Sequence, residues 1–145
     1  MKFDSILENK KKGTIGWTIP KGYEVVDEIQ MYVKNTCVSN GELLTIKGIT
    51  GKELPIICKL QFFRMGWYQG SGAREVQVTK EVSLKPGKKW VTNSEINENY
   101  VSRGPNWPIV HQVEVPEDWA DGLYVIKATT KDEKSVLIPF YLTTP

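Results

Sequence analysis

Acid–base or nucleophilic chemistry needs a base held beside a nucleophile, and histidine supplies that base most often. This chain has one histidine, His111. It shares an alternating run with Ile109, Val113 and Val115, the setting of a half-buried, hydrogen-bonded structural histidine. No pattern groups a Ser or Cys and a carboxylate around it, so no catalytic residue is assigned and the chain is not read as an enzyme. Structural zinc takes four Cys or His ligands. Cys37, Cys58 and His111 are too few and too scattered for that, and no calcium-loop spacing of Asp and Asn occurs. Neither a metal nor a cofactor is expected.

The residues left with chemical interest lie in Phe62-Phe63-Arg64-Met65-Gly66-Trp67-Tyr68-Gln69-Gly70-Ser71-Gly72-Ala73-Arg74, where two adjacent aromatics are framed by three glycines and two arginines. Glycines allow positive φ or close backbone approach. Their order, G-x-x-x-G-x-G, is not the dinucleotide pattern, and no helical pattern follows it to cradle a phosphate. Trp67 and Tyr68 can stack on a sugar ring or anchor a protein partner, and they equally suit an over-determined structural corner. Arg64 and Arg74 flank the loop as rigid forks that bridge it to carboxylates or carbonyls, or meet an anionic ligand. Trp107 and Trp119 lie in or beside turns and read as covers for an open end of the fold, with ligand stacking as the second reading. Trp67, Tyr68, Arg64, Arg74, Trp107 and Trp119 are therefore the candidate ligand-binding residues.

The elements that must position them are strands. Period-two alternation recurs along the chain, and helical periodicity sustained over three turns does not occur. Ile29, Met31 and Val33 mark a first strand; Leu44 and Ile46 lead a second after the Asn40-Gly41 turn signal. Ile56 through Phe63 is apolar on both faces, as a covered central strand is. Val76 and Val78 continue into Val82 and Leu84 until Lys85-Pro86-Gly87 breaks the run. Lys88 to Pro105 reads as a long connection with a short edge strand around Trp90 and Val91. Ile109 to Val115, Leu123 to Ala128 and Val136 to Leu142 complete the set, the last two joined by a hairpin at Lys131-Asp132-Glu133-Lys134. Pro139 donates no hydrogen bond and marks an edge or bulged strand. The pattern predicts an all-β fold, an immunoglobulin-like sandwich of two antiparallel sheets with seven to eight strands. Residues 1–22 form an extended lead-in whose Trp17 and Ile19 pack on the sandwich domain of residues 23–145.

A chain of 145 residues is one ordinary domain that needs no staples. A net charge of +2 gives no case for nucleic acid or a membrane surface as partner, and Lys10-Lys11-Lys12 reads as a solvated segment. The first nine residues hold no apolar run suited to a signal peptide or membrane insertion. A cytoplasmic location is expected, or an extracellular one if an export signal was trimmed. Cys37 and Cys58 make no disulfide framework and are read as free and half-buried.

The loop Arg64-Met65-Gly66-Trp67-Tyr68-Gln69-Gly70-Ser71-Gly72-Ala73-Arg74 resembles the R-x-G-W-Y-x-G-x-G-A/G-R segment in the immunoglobulin-like region of large-subunit N,N-dimethylformamidase-like proteins. Glu8-Asn9 with Gly13-Thr14 and Trp17 is similar to the E-N-x-x-x-G-T-x-x-W lead-in of that region, and Asn40-Gly41-Glu42 to a turn before its second strand. Pro116-Glu117-Asp118-Trp119-Ala120-Asp121-Gly122-Leu123-Tyr124 resembles its P-x-D-W-x-S/D-G-x-Y element, and Pro139-Phe140 its P-F ending. In such proteins the amide-hydrolysing chemistry, with an iron centre, is assigned to a separate C-terminal domain, which the resemblance would start after Pro145. No residue here matches a catalytic position. The resemblance implies an accessory sandwich module, standing alone or excised. The leading functional reading is a non-catalytic module for an unidentified protein or carbohydrate ligand. Two others stay open: a fragment or accessory subunit of an N,N-dimethylformamidase-like amidohydrolase, and a structural protein that self-assembles as a homo-oligomer through the edge strand Val136 to Leu142.

Overall fold

A computed structural model describes residues 5–25, 28–79, 81–87 and 106–143. Apolar alternation folds these segments into two sheets. Strands β1 (Gln30–Val33), β3 (Leu43–Ile49) and β7 (Ile109–Glu114) form a three-stranded sheet in the order β1-β3-β7. The second sheet runs β2 (Cys37–Val38), β9 (Ser135–Leu142), β8 (Gly122–Thr130), β4 (Ile56–Met65) and β5 (Ala73–Val78), with β6 (Val82–Leu84) also paired to β4. Facing side chains close one core between the layers: Leu44 and Ile46 from the smaller sheet meet Leu60, Phe62, Ile126 and Phe140 from the larger. Each such burial contributes about 1.5–3 kcal/mol. The sandwich expected from the alternation is present.

β4 is central, with β8 on one side and β5 and β6 on the other. Its two apolar faces have separate destinations. Phe62 enters the inter-sheet core, while Phe63 packs with Ala73, Val125 and Trp17 on the outer face. Trp17 thus covers a patch of β4 that would otherwise meet water. At the start of β8, Tyr124 is fully buried, stacks between Trp119 and Phe140, and donates its hydroxyl to the Ala120 carbonyl four residues back. That is the tyrosine-corner arrangement of immunoglobulin-like sandwiches.

Several details depart from the alternation. The described residues hold nine strands, two more or one more than expected, because β2 is only two residues long and a single run splits into β5 and β6. β2 pairs parallel to β9, so the larger sheet is not wholly antiparallel. The lead-in contains one helical turn, α1 (Ser5–Asn9). A bulge at Val110, where Ile46 pairs with His111 but Lys47 with Ile109, adds a residue to β7 and turns Ile109 outward to 54% exposure. His111 leans on the Phe62 ring, and its Nε2 is buried without a hydrogen-bond partner among the described residues, unlike the bonded histidine expected. Burial holds its pKa below the ordinary value. Both cysteines are free, yet neither is half-buried: Cys37 is exposed, and Cys58 is enclosed with its thiol pushed up to about 11 by burial. The connection and edge strand expected around Trp90 and Val91 lie outside the described residues.

Pro139 has a clear setting. On β9 the main-chain groups of Ser135, Tyr141 and Thr143 point away from β8. They bond Tyr23 and Val25 at one end and Thr36 and Val38 at the other. By the same alternation Leu137 and Pro139 face the short gap between, where Pro139 has no N–H to leave unpaired. The chain itself covers both ends of this edge. That leaves the Val136 to Leu142 strand poorly suited to the self-association considered above, because a second copy would meet an interrupted ladder.

Candidate functional site

The glycine-framed loop reverses the chain from β4 to β5. Gly66 N donates to Gly72 O at 3.0 Å, closing the reversal, and residues Tyr68–Gly70 form one left-handed 3₁₀ turn inside it. Gly70 and Gly72 take φ of +91° and +88°, values glycine adopts without strain. Tyr68 and Gln69 also have positive φ, +40° and +57°, which costs a non-glycine residue on the order of 1 kcal/mol. That strain is held by what Tyr68 bonds.

Tyr68 is fully buried, and its hydroxyl donates to Glu8 Oε2 at 2.8 Å while accepting from Arg64 Nη1 at 3.0 Å. Arg74 Nε donates to the same Glu8 oxygen at 2.8 Å. Arg64, 4% exposed, also donates from Nη1 to Asn9 Oδ1 and from Nε and Nη2 to the Asp121 carbonyl, at 3.1, 3.1 and 2.7 Å. Lys11 Nζ lies 3.0 Å from Glu8 Oε1, an ion pair without hydrogen-bond alignment, so that buried oxygen has no hydrogen-bond donor among the described residues. Burial works against the Glu8 charge, but the hydrogen bonds from Tyr68 and Arg74, with Lys11, outweigh it and hold the carboxyl below its ordinary value. Burial raises the Tyr68 hydroxyl, so it stays protonated and serves as a donor.

The lead-in is bound to this corner along its length. Gln69 Nε2 donates to Lys10 O, Thr14 N to Ala73 O, and Trp17 Nε1 to Ser71 O, at 2.8, 2.8 and 2.9 Å. Lys127 Nζ donates to the carbonyls of Gly16 and Thr18 at 2.7 and 2.8 Å. Gly13 fits because a Cβ there would sit 2.6 Å from Ala73 O, and Gly66 because a Cβ would collide with Asn9 Oδ1. Three of the five sequence segments that carry the resemblance, the lead-in, the loop and the Pro116–Tyr124 element, therefore meet in one place.

Residues 59–145 match the family described as N,N-dimethylformamidase beta subunit-like, C-terminal. The chain belongs to that family. The matched residues contain the loop and the Pro116–Tyr124 element but not the lead-in. That family is a C-terminal region, whereas the resemblance implied a region preceding the C-terminal domain. No curated protein matches the chain by sequence. Among solved structures the chain is similar to an alkylpurine DNA glycosylase of Pseudomonas fluorescens, at 14% identity and a TM-score of 0.44, covering 84% of this chain and 32% of that one. It is also similar to a β-glucosidase of Erythrobacter marinus, at 10% identity and a TM-score of 0.43, covering 93% of this chain and 19% of that one. The chain thus spans about a third and a fifth of those two proteins.

Within this dimethylformamidase-like chain the six candidate residues divide. Arg64, Tyr68 and Arg74 come together, but around Glu8 and not around an open pocket. Trp67 stands next to them and is 62% exposed. Trp119 is buried against Phe62 and Tyr124, and its carbonyl accepts from Asn40 Nδ2 at 3.0 Å. Trp107 packs its ring against Tyr32, with centroids 5.6 Å apart, on the smaller sheet. Glu8, Asn9, Gly13 and Asp121 belong to the corner and were not singled out as site residues. The signal was the spacing of the lead-in motif for Glu8, Asn9 and Gly13, and of the Pro116–Tyr124 element for Asp121, and neither has meaning until the loop it binds is known. Among the described residues no group of three or more His, Cys, Asp or Glu could hold a metal, and no helix is long and apolar enough to cross a membrane. A cleft of about 490 Å³ lies at the opposite end of β4, between Ile56, Ile57, Lys52 and the Thr130–Lys134 hairpin.

Proposed function

We propose that the chain is a non-catalytic interaction domain of an N,N-dimethylformamidase-like subunit, and that it presents Trp67 to a protein or carbohydrate ligand. One observation carries the reading: an indole 62% exposed sits on a backbone fixed by the buried Tyr68 network next to it. A large aromatic held on a rigid support loses little freedom on binding, which is how interface anchors gain their energy. Trp67→Ala is expected to leave thermal unfolding unchanged and to abolish binding in a screen of defined glycans and of the other polypeptides of its subunit assembly. Unchanged binding by that variant, after wild type has bound, rejects the assignment.

A second reading is favoured by the family itself, which is named for a subunit of an amide-cleaving enzyme. In it the chain completes an N,N-dimethylformamidase-like amidohydrolase whose reacting groups lie on other polypeptide. Mixing the chain with the remaining subunit polypeptide and following release of dimethylamine from N,N-dimethylformamide checks this. No gain over the remaining polypeptide alone rejects it.

A further inference from the structure

The corner carries a charge imbalance that the fold does not consume. Lys10, Lys11 and Lys12 follow α1 directly onto the 3₁₀ turn, with Lys10 O bound by Gln69 and Lys11 Nζ at Glu8. All three lysines are exposed. Arg74 commits its Nε to Glu8 and keeps a side chain 27% exposed. Against these cations and the buried Arg64 stands one enclosed carboxylate, Glu8. At the margin are Asp121, which gives the corner its carbonyl, and Glu75, which accepts from Gln61 Nε2 at 2.7 Å. The whole chain has a net charge of only +2, so this corner holds more than the average share of its positive charge. Trp67 projects from the same turn, and Leu7 of α1, also 62% exposed, lies on the helix packed against it.

We propose that the corner docks an acidic segment of a partner protein, with Trp67 as the apolar anchor and Lys10, Lys11, Lys12 and Arg74 as the surrounding cations. The proposal rests on the interaction-domain reading above and adds the chemistry of the partner. An aromatic anchor with a polar rim beside it is the anatomy of a protein interface. A guanidinium fixed by one hydrogen bond offers its fork to carboxylates in a set direction. The lysines steer an acidic partner toward the anchor and make the encounter salt-dependent. A subunit-like family membership supplies a setting in which such a partner is a neighbouring polypeptide.

The test uses a dye-labelled peptide of alternating Glu and Leu, read by fluorescence anisotropy with the intact chain. Phosphatidylserine-containing vesicles and a short single-stranded oligonucleotide serve as competing probes. Wild type is expected to bind the peptide and to lose about tenfold in affinity between about 50 and 300 mM salt. Lys10→Glu combined with Lys12→Glu is expected to lose about tenfold or more at low salt, with thermal unfolding unchanged. Tighter binding of vesicles or oligonucleotide than of peptide overturns the proposal, as does peptide binding indifferent to the charge reversal. If Trp67→Ala weakens peptide binding and the charge reversal does not, the acidic-partner inference falls and the interaction-domain reading stands. If neither variant changes binding of any probe, both fall.

Discussion

The two ends of β4 are closed in opposite ways. At Arg64 and Met65 the strand runs into a corner where polar groups from three separated segments bond one another largely away from water: Glu8 and Asn9, then Arg64, Tyr68 and Arg74, and Asp121. At Ile56 and Ile57, roughly 30 Å away along the strand, the end opens into the cleft edged by Lys52, Lys131 and Lys134. There Lys134 pairs with Glu28 at 3.4 Å through partly exposed side chains, a contact worth at most about 1 kcal/mol. The contrast shows where cooperativity resides. A buried polar network is costly when incomplete, so each member depends on all the others. At the cleft Lys134 relies on a single partly exposed ion pair, whose loss strands no buried group.

The largest expected effect breaks the closed end. Tyr68→Ala removes a fully buried ring, leaves Glu8 with one donor fewer, and should lower stability by about 4 kcal/mol, read from the denaturant midpoint at constant m. A loss below about 1 kcal/mol would mean the corner is not the closed unit described. Gly13→Ala comes next. Its Cβ would meet Ala73 O at 2.6 Å and Tyr68 Cβ at 2.8 Å, both parts of the corner that cannot swing aside. Overpacking of this kind costs about 2 kcal/mol. If Gly13→Ala unfolds with the wild-type midpoint, the lead-in does not seat on the loop.

Much of the sandwich could be read from the chain because alternation is a local signal. Phe62 and Phe63 announced a strand covered on both faces, and the two faces indeed enter different clusters. Pro139 announced an interrupted edge, and the gap between Val25 and Thr36 supplies it. What alternation cannot register is an extra residue: the Val110 bulge reverses the facing of Ile109 with no change in composition. Pairings between remote segments are equally silent. Glu8 and Tyr68 are 60 residues apart, and a lone glutamate in a polar lead-in looks solvated until the fold buries it. The loop glycines pointed to tight geometry correctly, yet the strained residues beside them are Tyr68 and Gln69, types that advertise no turn. Their conformation is set by the network, which no local rule contains.

The electrostatic part of the contrast can be sharpened by pH. Glu8 has a folded-state pKa below its ordinary 4.5, so its ionisation stabilises the fold above that value, and the contribution is lost as pH falls through the depressed folded value. Glu8→Gln should therefore be less stable than wild type near neutrality, by about 1–2 kcal/mol after allowing for the amide's remaining hydrogen bonds. The two midpoints should converge as pH drops below 4.5. A constant difference from pH 7 to pH 3 would show that the carboxylate charge is not what holds the corner. Removing charge at the open end, for instance with Lys131→Gln, should leave the pH profile as it is.

The smallest effects test whether the two ends are independent. Trp67→Ala at the corner and Lys131→Gln at the cleft each touch an exposed side chain, and each should shift stability by no more than about 0.5 kcal/mol. Because the two positions lie at opposite ends of the paired strands β4 and β8, the double variant should equal the sum of the singles within about 0.5 kcal/mol. The closed end gives the reason for expecting additivity. Trp67 leaves the turn outward while Tyr68 beside it is bonded inward, so deleting the indole removes no member of the network. A measured coupling above that range would mean that strain at the 3₁₀ turn travels along the strand, and that the corner is a sensor of the far end rather than a fixed support.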